Sequence, residues 1–431
     1  MKLSKYNIRI QLSEKSDLIY NSFSNKFIAI KHEISLANVN GLNIHFRDLL
    51  YSNGMIISDD INEYESVVRE WKTNTEKKDS YLVIINPTLK CNFNCWYCYE
   101  NHSNASVMNE QLFNKTKMFI HNILKTYDKL TVSFFGGEPL LEYVRIVKPL
   151  ILYAELEATK LNKTVDFSFT TNGFLLDREM ISFLHQHHLR AMQITLDGGR
   201  KTHNKTIVSK SKDSFETILG NVLCLIENKV YVTLRINVTP NNIDECWEII
   251  EWLNVLSDEV KEYLVVNIQK VWQTQVSEEI INKIDCLLDA ICAKGVYGCV
   301  ALRDNMRDMC YADKDNTVVI NSNGNIFKCT AIDFDHHVPD GYISENGELV
   351  EVGNRISDRN KKRFENQECC ECDIFPLCLG GCSKTVDSSP NNYCIYQHNK
   401  KAKQQVVMDI IKDRIRRDAM LKNKLVNNES I

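Results

Sequence analysis

The chain has 431 residues, 44% of them hydrophobic and 25% charged, with a formal net charge of −4. That is enough apolar material for a large core and two or three domains, while 52 basic and 56 acidic residues mixed along the chain give no electrostatic case for nucleic acid or an anionic membrane. No apolar run approaches the roughly 20 residues that span a bilayer, and the polar start MKLSKYNIRI lacks the apolar core of a signal peptide, so a cytoplasmic protein is expected.

In chain order, "NIRIQLS" and "NKFIAIK" alternate as strands do, and "INEYESVVREWK" puts Val67, Val68 and Trp71 on one side of a helix. Residues 1–80 therefore read as a small α+β module. The charged link "KTNTEKKDS", Lys72 to Ser80, reads as an exposed boundary. From Tyr81 onward, β-branched runs alternate with amphipathic helices. The predicted strands are "YLVIINP" at 81–87, "LTVSFF" at 130–135, "TVDFSFT" at 164–170, "RAMQITLD" at 190–197, "VYVTLRINV" at 230–238 and "EYLVVNIQ" at 262–269, with helices such as "FNKTKMFIHNIL" and "DECWEIIEWLNVL" between them. Six strand–helix units predict an α/β fold, a partial (β/α)6 TIM-like barrel over 81–298 whose chemistry lies at the carboxyl ends of the strands. Residues 299–398 are rich in cysteine, glycine and turn residues. Residues 399–431 form a basic helix with Val407, Ile410, Ile411 and Ile415 on one face.

Sixteen cysteines are many for a cytosolic chain, where thiols stay reduced and disulfides do not hold folds together, so metal is the default reading. Cys224, Cys246, Cys286 and Cys292 lie in helical stretches and read as small buried apolar residues. After the first barrel strand, "LKCNFNCWYCYENH" carries Cys91, Cys95 and Cys98 at C-x3-C-x2-C. Three thiolates at this spacing suit a four-iron cubane with one iron left open. A structural zinc ion would need a fourth ligand such as His102.

Cys91, Cys95, Tyr97 and Cys98 resemble the C-x3-C-x-aromatic-C hallmark of the radical S-adenosylmethionine (SAM) enzymes. The resemblance implies that the open iron of a [4Fe-4S] cluster binds the amino and carboxylate groups of SAM, and that reductive cleavage yields methionine and a 5′-deoxyadenosyl radical that abstracts hydrogen. "FFGGEP" ends the second strand, and Gly136, Gly137 and Glu138 resemble the family's GGE motif beside the methionyl amine; glycines permit close backbone approach and a carboxylate accepts from a cationic amine. "TTNG" and "TLDG" resemble the third and fourth strand ends, which brings Asn172 and Thr195 toward the SAM ribose or carboxylate, and Arg235 in "TLRINV" toward the carboxylate. A strand- or turn-capping role is the alternative for these three. No catalytic acid or base is singled out.

Cys310-x13-Gly324-x4-Cys329, followed by Cys369-x2-Cys372-x5-Cys378-x3-Cys382 and Cys394, resembles the SPASM domain of radical SAM maturases. The resemblance implies two auxiliary [4Fe-4S] clusters beside the SAM-binding one: Cys310, Cys329 and Cys382 hold the first, and Cys369, Cys372, Cys378 and Cys394 the second. Cys299 is the nearest upstream candidate for an eighth ligand; without it the first auxiliary cluster has an open iron. Cys370 matches no position of the motif.

Among radical SAM enzymes that mature ribosomally made peptides (RiPPs), a small winged-helix-like module commonly precedes the barrel and pairs an edge strand with the precursor's leader. Residues 1–80 suit such a recognition element by position and pattern, with a structural cap as the alternative. The resulting expectation is a peptide maturase that installs a thioether or carbon cross-link, with a precursor peptide and an external electron donor such as flavodoxin or ferredoxin as partners. The alternatives are a sulfatase maturase forming formylglycine, in which Thr330 replaces the aspartate usual after the cysteine corresponding to Cys329, and a cluster-bearing electron-transfer or binding protein that does not turn over SAM.

Overall fold

The computed structural model describes residues 1–76, 79–100, 106–206, 213–300, 309–387, 389 and 393–428. They divide into two compact units, one made of residues 1–77, 302–315 and 356–412, the other of 78–301, 316–355 and 413–431.

In the first unit, β1 (Lys2–Leu3) pairs with β5 (Ile56–Ile57), and β2 (Asn7–Gln11), β3 (Ser16–Asn21) and β4 (Lys26–Lys31) form an antiparallel sheet with β3 central. Successive side chains of a strand point to opposite faces, and both faces of β3 are covered. Leu18 and Tyr20 pack with Ile8, Ile374, Leu377, Val407, Ile410 and Ile411; Ile19 packs with Ile30, Leu50, Met55 and Ile56. This double burial explains why β3 escapes an alternation search: "SDLIYN" shows no polar face to count. Helix α1 (Ile44–Ser52), which supplies Leu50, is likewise an element that the sequence pattern does not announce. Helix α2 (Glu63–Thr75) starts at an Asn62 cap whose side chain accepts from Glu65 N, with Glu63 and Glu65 in its first turn. Its Val67 and Trp71 share a core with Tyr6, Phe375 and Leu379. The amino-terminal strands and the cysteine-rich segment 356–412 thus bury one another. The link expected to be exposed from Lys72 begins as the last turn of α2, with Thr75 buried.

In the second unit the six predicted strands are found as β6 (Ser80–Ile85), β7 (Lys129–Phe134), β8 (Thr164–Thr171), β9 (Leu189–Asp197), β10 (Tyr231–Val238) and β11 (Leu264–Lys270), parallel and in sequence order. The sheet extends further. A short β12 (Tyr297–Cys299) runs parallel to β11, and β13 (Thr317–Ile320) parallel to β6, followed by antiparallel β14 (Asn325–Phe327), β15 (Gly341–Ile343) and β16 (Leu349–Glu351). Helix α3 (Glu110–Thr126) buries Leu112, Phe119, Ile120 and Leu124 in the core of this unit. The outward alternates of the strands, such as Phe167, Phe169, Ile194 and Leu234, fill that same core, which leaves the other face of each strand for polar residues. Among the described residues no helix is long and apolar enough to cross a membrane.

On the helix Lys400–Asn428, Val407, Ile410 and Ile411 are buried as expected, but Ile415 is 60% exposed. Of the four helical cysteines read as buried, Cys246 and Cys292 are, Cys224 is half-buried, and Cys286 is exposed.

Candidate functional site

The loop after β6 brings Cys91, Cys95 and Cys98 to the wall of one cavity of about 200 Å³. Phe93 anchors the loop from below, against Phe174 and His203. Burial is the main force that pushes the Cys91 and Cys95 thiols up to about 12. A thiol so placed stays protonated by itself and becomes a thiolate when a cationic iron centre supplies the compensating charge. Three sulfur donors around a cavity of this size fit an iron–sulfur cluster, while His102, the candidate fourth zinc ligand, lies outside the described residues.

The Gly136–Gly137 loop after β7 is fastened directly to the cysteine loop: Gly137 N donates to Thr88 O at 3.1 Å and Glu138 N to Lys90 O at 2.8 Å. Gly136 has φ +104°, and a Cβ on Gly137 would lie 2.3 Å from Lys90 O and 2.5 Å from Leu89 O. Both glycines line the cavity. Glu138 differs from the expectation. Its carboxylate is fully buried beneath the loop, where it accepts from Leu140 N (3.0 Å), Thr171 Oγ1 (2.7 Å) and Asn172 N (2.8 Å). Burial pushes its acid constant up to about 7 and these donors pull it down. In the described structure the carboxylate therefore ties the end of β7 to the end of β8.

Across the sheet, Thr170, Gln193, Thr195 and Arg235 all line the cavity. Thr170 is the registered neighbour of Gln193, and Thr195 of Arg235, so period-two alternation places a polar ladder on one face of three adjacent strands. Asn172, just beyond β8, also reaches the cavity and donates through Nδ2 to Asn92 Oδ1 at 2.8 Å, joining it to the cysteine loop. Arg235 lends its Nε to Asn237 Oδ1 at 3.0 Å. Burial lowers its acid constant, but an arginine of this kind stays charged.

Sequence reasoning overlooked a second tie. The Tyr97 hydroxyl donates to Asp197, and Asn237 Nδ2 donates to the Tyr97 oxygen at 3.0 Å and to Asp197 Oδ1 at 3.4 Å. The aromatic position of the cysteine motif is thus locked to the ends of β9 and β10. Gln273 Nε2 adds a bond to Tyr97 O at 2.8 Å. The available signal was positional: Asp197 and Asn237 are registered partners at strand ends. Asp197 N also donates to His203 Nδ1 at 3.2 Å. Burial pushes that imidazole down to about 4 from its usual 6.5. The folded chain then refuses a proton that the unfolded chain accepts as pH falls below about 6.5. We expect a stability loss that accumulates from pH 6.5 to about 4 and reaches about 3 kcal/mol, and that is flattened in His203→Gln when melting temperature is followed against pH.

Cys369, Cys372, Cys378 and Cys394 line a second cavity, in the first unit. The Cys369 thiol is pushed up to about 12, by burial first and then by Cys378, Cys372, Cys394 and Cys370. The loop closes tightly because Leu379, Gly380 and Gly381 all take positive φ. Cys310 and Cys382 belong to the first unit, Cys299 and Cys329 to the second. Cys299, at the end of β12, accepts from Asn267 Nδ2 at 3.4 Å, and Cys329 accepts from Ala331 N at 3.3 Å. The grouping of Cys310, Cys329 and Cys382, with or without Cys299, rests on the sequence pattern.

A partial parallel barrel thus brings three cysteines, a glycine pair and a polar ladder around one cavity. Residues 85–253 match the Radical SAM superfamily family model, so the barrel carries a radical SAM domain, whose cofactors are SAM and [4Fe-4S] clusters. It is 23% identical over 87% of its length, and 81% of the relative's, to the radical SAM cyclopropyl synthase TigE of Paramaledivibacter caminithermalis. It is 22% identical over 70% of its length, and 90% of the relative's, to a cysteine-type anaerobic sulfatase-maturating enzyme of Clostridium perfringens. Among solved structures, SuiB of Streptococcus suis bound to its precursor peptide SuiA shares the fold, with a TM-score of 0.53 and 14% identity over 91% of this chain and 98% of that one.

Proposed function

We propose that this radical SAM maturase acts on a ribosomally made precursor peptide and installs a cross-link, through sulfur or carbon. The observation that carries the reading is the pairing, in one compact unit, of a three-stranded amino-terminal sheet with a four-cysteine cavity. Both features exceed what a minimal radical SAM enzyme needs. SuiB, bound to a precursor peptide, supports a peptide substrate, and TigE, named a cyclopropyl synthase, favours a carbon bond.

When bound, SAM and the clusters supply a 5′-deoxyadenosyl radical for hydrogen abstraction and a redox partner for the substrate radical, with flavodoxin or ferredoxin as the electron source. The chain's own residues do the positioning. Cys91, Cys95 and Cys98 hold the SAM-binding cluster; Gly136 and Gly137 bring bare backbone to the cavity; Asn172, Thr195 and Arg235 offer polar groups to the ribose and carboxylate of SAM; and Glu138 fixes the loop that carries them. Cys369, Cys372, Cys378 and Cys394 hold an auxiliary cluster, and with Cys310, Cys329 and Cys382 assigned to another, anaerobically reconstituted protein should carry about twelve irons per chain.

Anaerobic incubation with dithionite, SAM and the candidate precursor tests the reading by mass spectrometry: loss of a hydrogen pair from the peptide supports a cross-link. Conversion of a sulfatase-derived cysteine peptide with loss of its sulfur favours the second reading, a sulfatase maturase, which the relative of Clostridium perfringens keeps in play.

Leader recognition falls to the amino-terminal sheet, by strand addition at an edge. Strand β4 is an edge strand, and its Phe27 is 41% exposed. Because residues 1–77 share their cores with 356–412, deleting the module would strip the auxiliary cavity of its support, so a surface change is the cleaner test. Phe27→Asp should weaken leader binding about tenfold, the scale of one interface anchor, while SAM cleavage without peptide is unchanged. Unaltered anisotropy of a labelled leader would assign recognition to another surface.

A further inference from the structure

The second cysteine cavity is lined by one lysine. Lys403, on the helix Lys400–Asn428, places its Nζ 3.1 Å from Cys372 Sγ and is half-buried at the cavity wall. Besides the four cysteines, Tyr393 and Tyr396, the cavity is lined by Glu368 and His398, which pair with each other at 2.6 Å. The helix is held in place by Val407, Ile410 and Ile411, which pack on Ile374 and Leu377 of the cysteine loop itself. Lys403 is thus carried on a rigid element and aimed at a sulfur, not left to wander on the surface.

We infer that Lys403 is a positioning residue for electron transfer, a fixed cation whose contact with Cys372 raises the reduction potential of the cluster held by Cys369, Cys372, Cys378 and Cys394. One-electron reduction adds a negative charge to a cluster and its thiolates, and a half-buried cation beside one of those sulfurs stabilises the reduced state more than the oxidised one. Hydrogen bonds to ligand sulfurs and the charge around them are the protein's means of setting such potentials. A raised potential makes this cluster the better acceptor of an electron from a substrate radical and the poorer donor to SAM. The inference rests on the auxiliary-cluster reading and specifies which residue tunes that cluster.

The test uses full-length protein with Cys91, Cys95 and Cys98 replaced by alanine, so that only auxiliary signals remain, in potentiometric titrations followed by electron paramagnetic resonance. Lys403→Met should shift the midpoint of one auxiliary signal to more negative potential, leave any second signal where it was, and keep the iron content. Lys403→Arg, which retains the charge, should return the midpoint toward its original value. An unmoved midpoint in Lys403→Met, or equal shifts in both substitutions, overturns the tuning role. Loss of iron in both would make Lys403 a brace between helix and loop, which also overturns it. The underlying reading fails separately: if replacing Cys369, Cys372, Cys378 and Cys394 together by alanine removes no iron, there is no such cluster and the inference falls with it.

Discussion

Replacing Cys91, Cys95 and Cys98 together by alanine removes about four irons per chain, the content of one cubane, and abolishes 5′-deoxyadenosine formation. The effect is expected to be complete because no other described cysteine lines that cavity. The fold should survive. The loop is held by Phe93 against Phe174 and His203, by the bonds of Thr88 and Lys90 to the glycine loop, and by Tyr97 on Asp197, none of which depends on a sulfur. The thiols themselves are half-buried or exposed, so alanine leaves little cavity. Iron analysis and chromatography of anaerobic reactions read the two outcomes independently. Carefully anaerobic preparations that contain zinc in place of iron would overturn the assignment, and so would SAM cleavage that persists in the triple variant.

What could be read from the sequence was whatever local chemistry repeats along the chain. The six barrel strands were legible because β-branched runs recur between amphipathic helices, and in β8 alternation is plain as well: Val165, Phe167 and Phe169 face the core while Asp166, Ser168 and Thr170 face away from it. The cysteine triplet and the glycine pair were legible because both are contiguous. The central strand β3 was not, since its neighbours on either face come from remote segments and erase the alternation. Strands β12 and β13 are short and enter the sheet only through pairing with β11 and β6. The role of Glu138 was also out of reach. A motif shows that a carboxylate follows two glycines, but not that Thr171 and Asn172, over thirty residues on, donate to its oxygens. Likewise, Tyr97 is more than an aromatic filler in the cysteine motif, because Asp197 and Asn237 meet its hydroxyl only once β9 and β10 are in register.

Gly137→Ala should be nearly as damaging as loss of the cysteines, though it removes no ligand. The added Cβ would lie 2.3 Å from Lys90 O and 2.5 Å from Leu89 O, both backbone atoms that no rotamer change can move aside. The glycine loop must then back away from the cysteine loop, and the Gly137–Thr88 and Glu138–Lys90 hydrogen bonds, at 3.1 and 2.8 Å, break or lengthen. Overpacking of this kind costs about 1–3 kcal/mol or more, and each strained hydrogen bond adds about 1 kcal/mol. The displaced segment also carries Glu138, so the tie to Thr171 and Asn172 loosens and the polar wall of the cavity shifts with it. A displacement of about 1 Å at a catalytic site is enough to cost on the order of a hundredfold in rate. SAM cleavage should therefore fall at least that far, while iron bound by Cys369, Cys372, Cys378 and Cys394, in the other unit, is retained. Gly220→Ala is the matched control. Gly220 lies within the helix Ser214–Glu227, where an added Cβ meets nothing within 4 Å. There alanine should stabilise the helix by up to about 1 kcal/mol and leave SAM cleavage unchanged. If Gly137→Ala melts at the parent temperature and cleaves SAM at the parent rate, the two loops are not in the close contact described, and the glycine pair serves some purpose other than joining them.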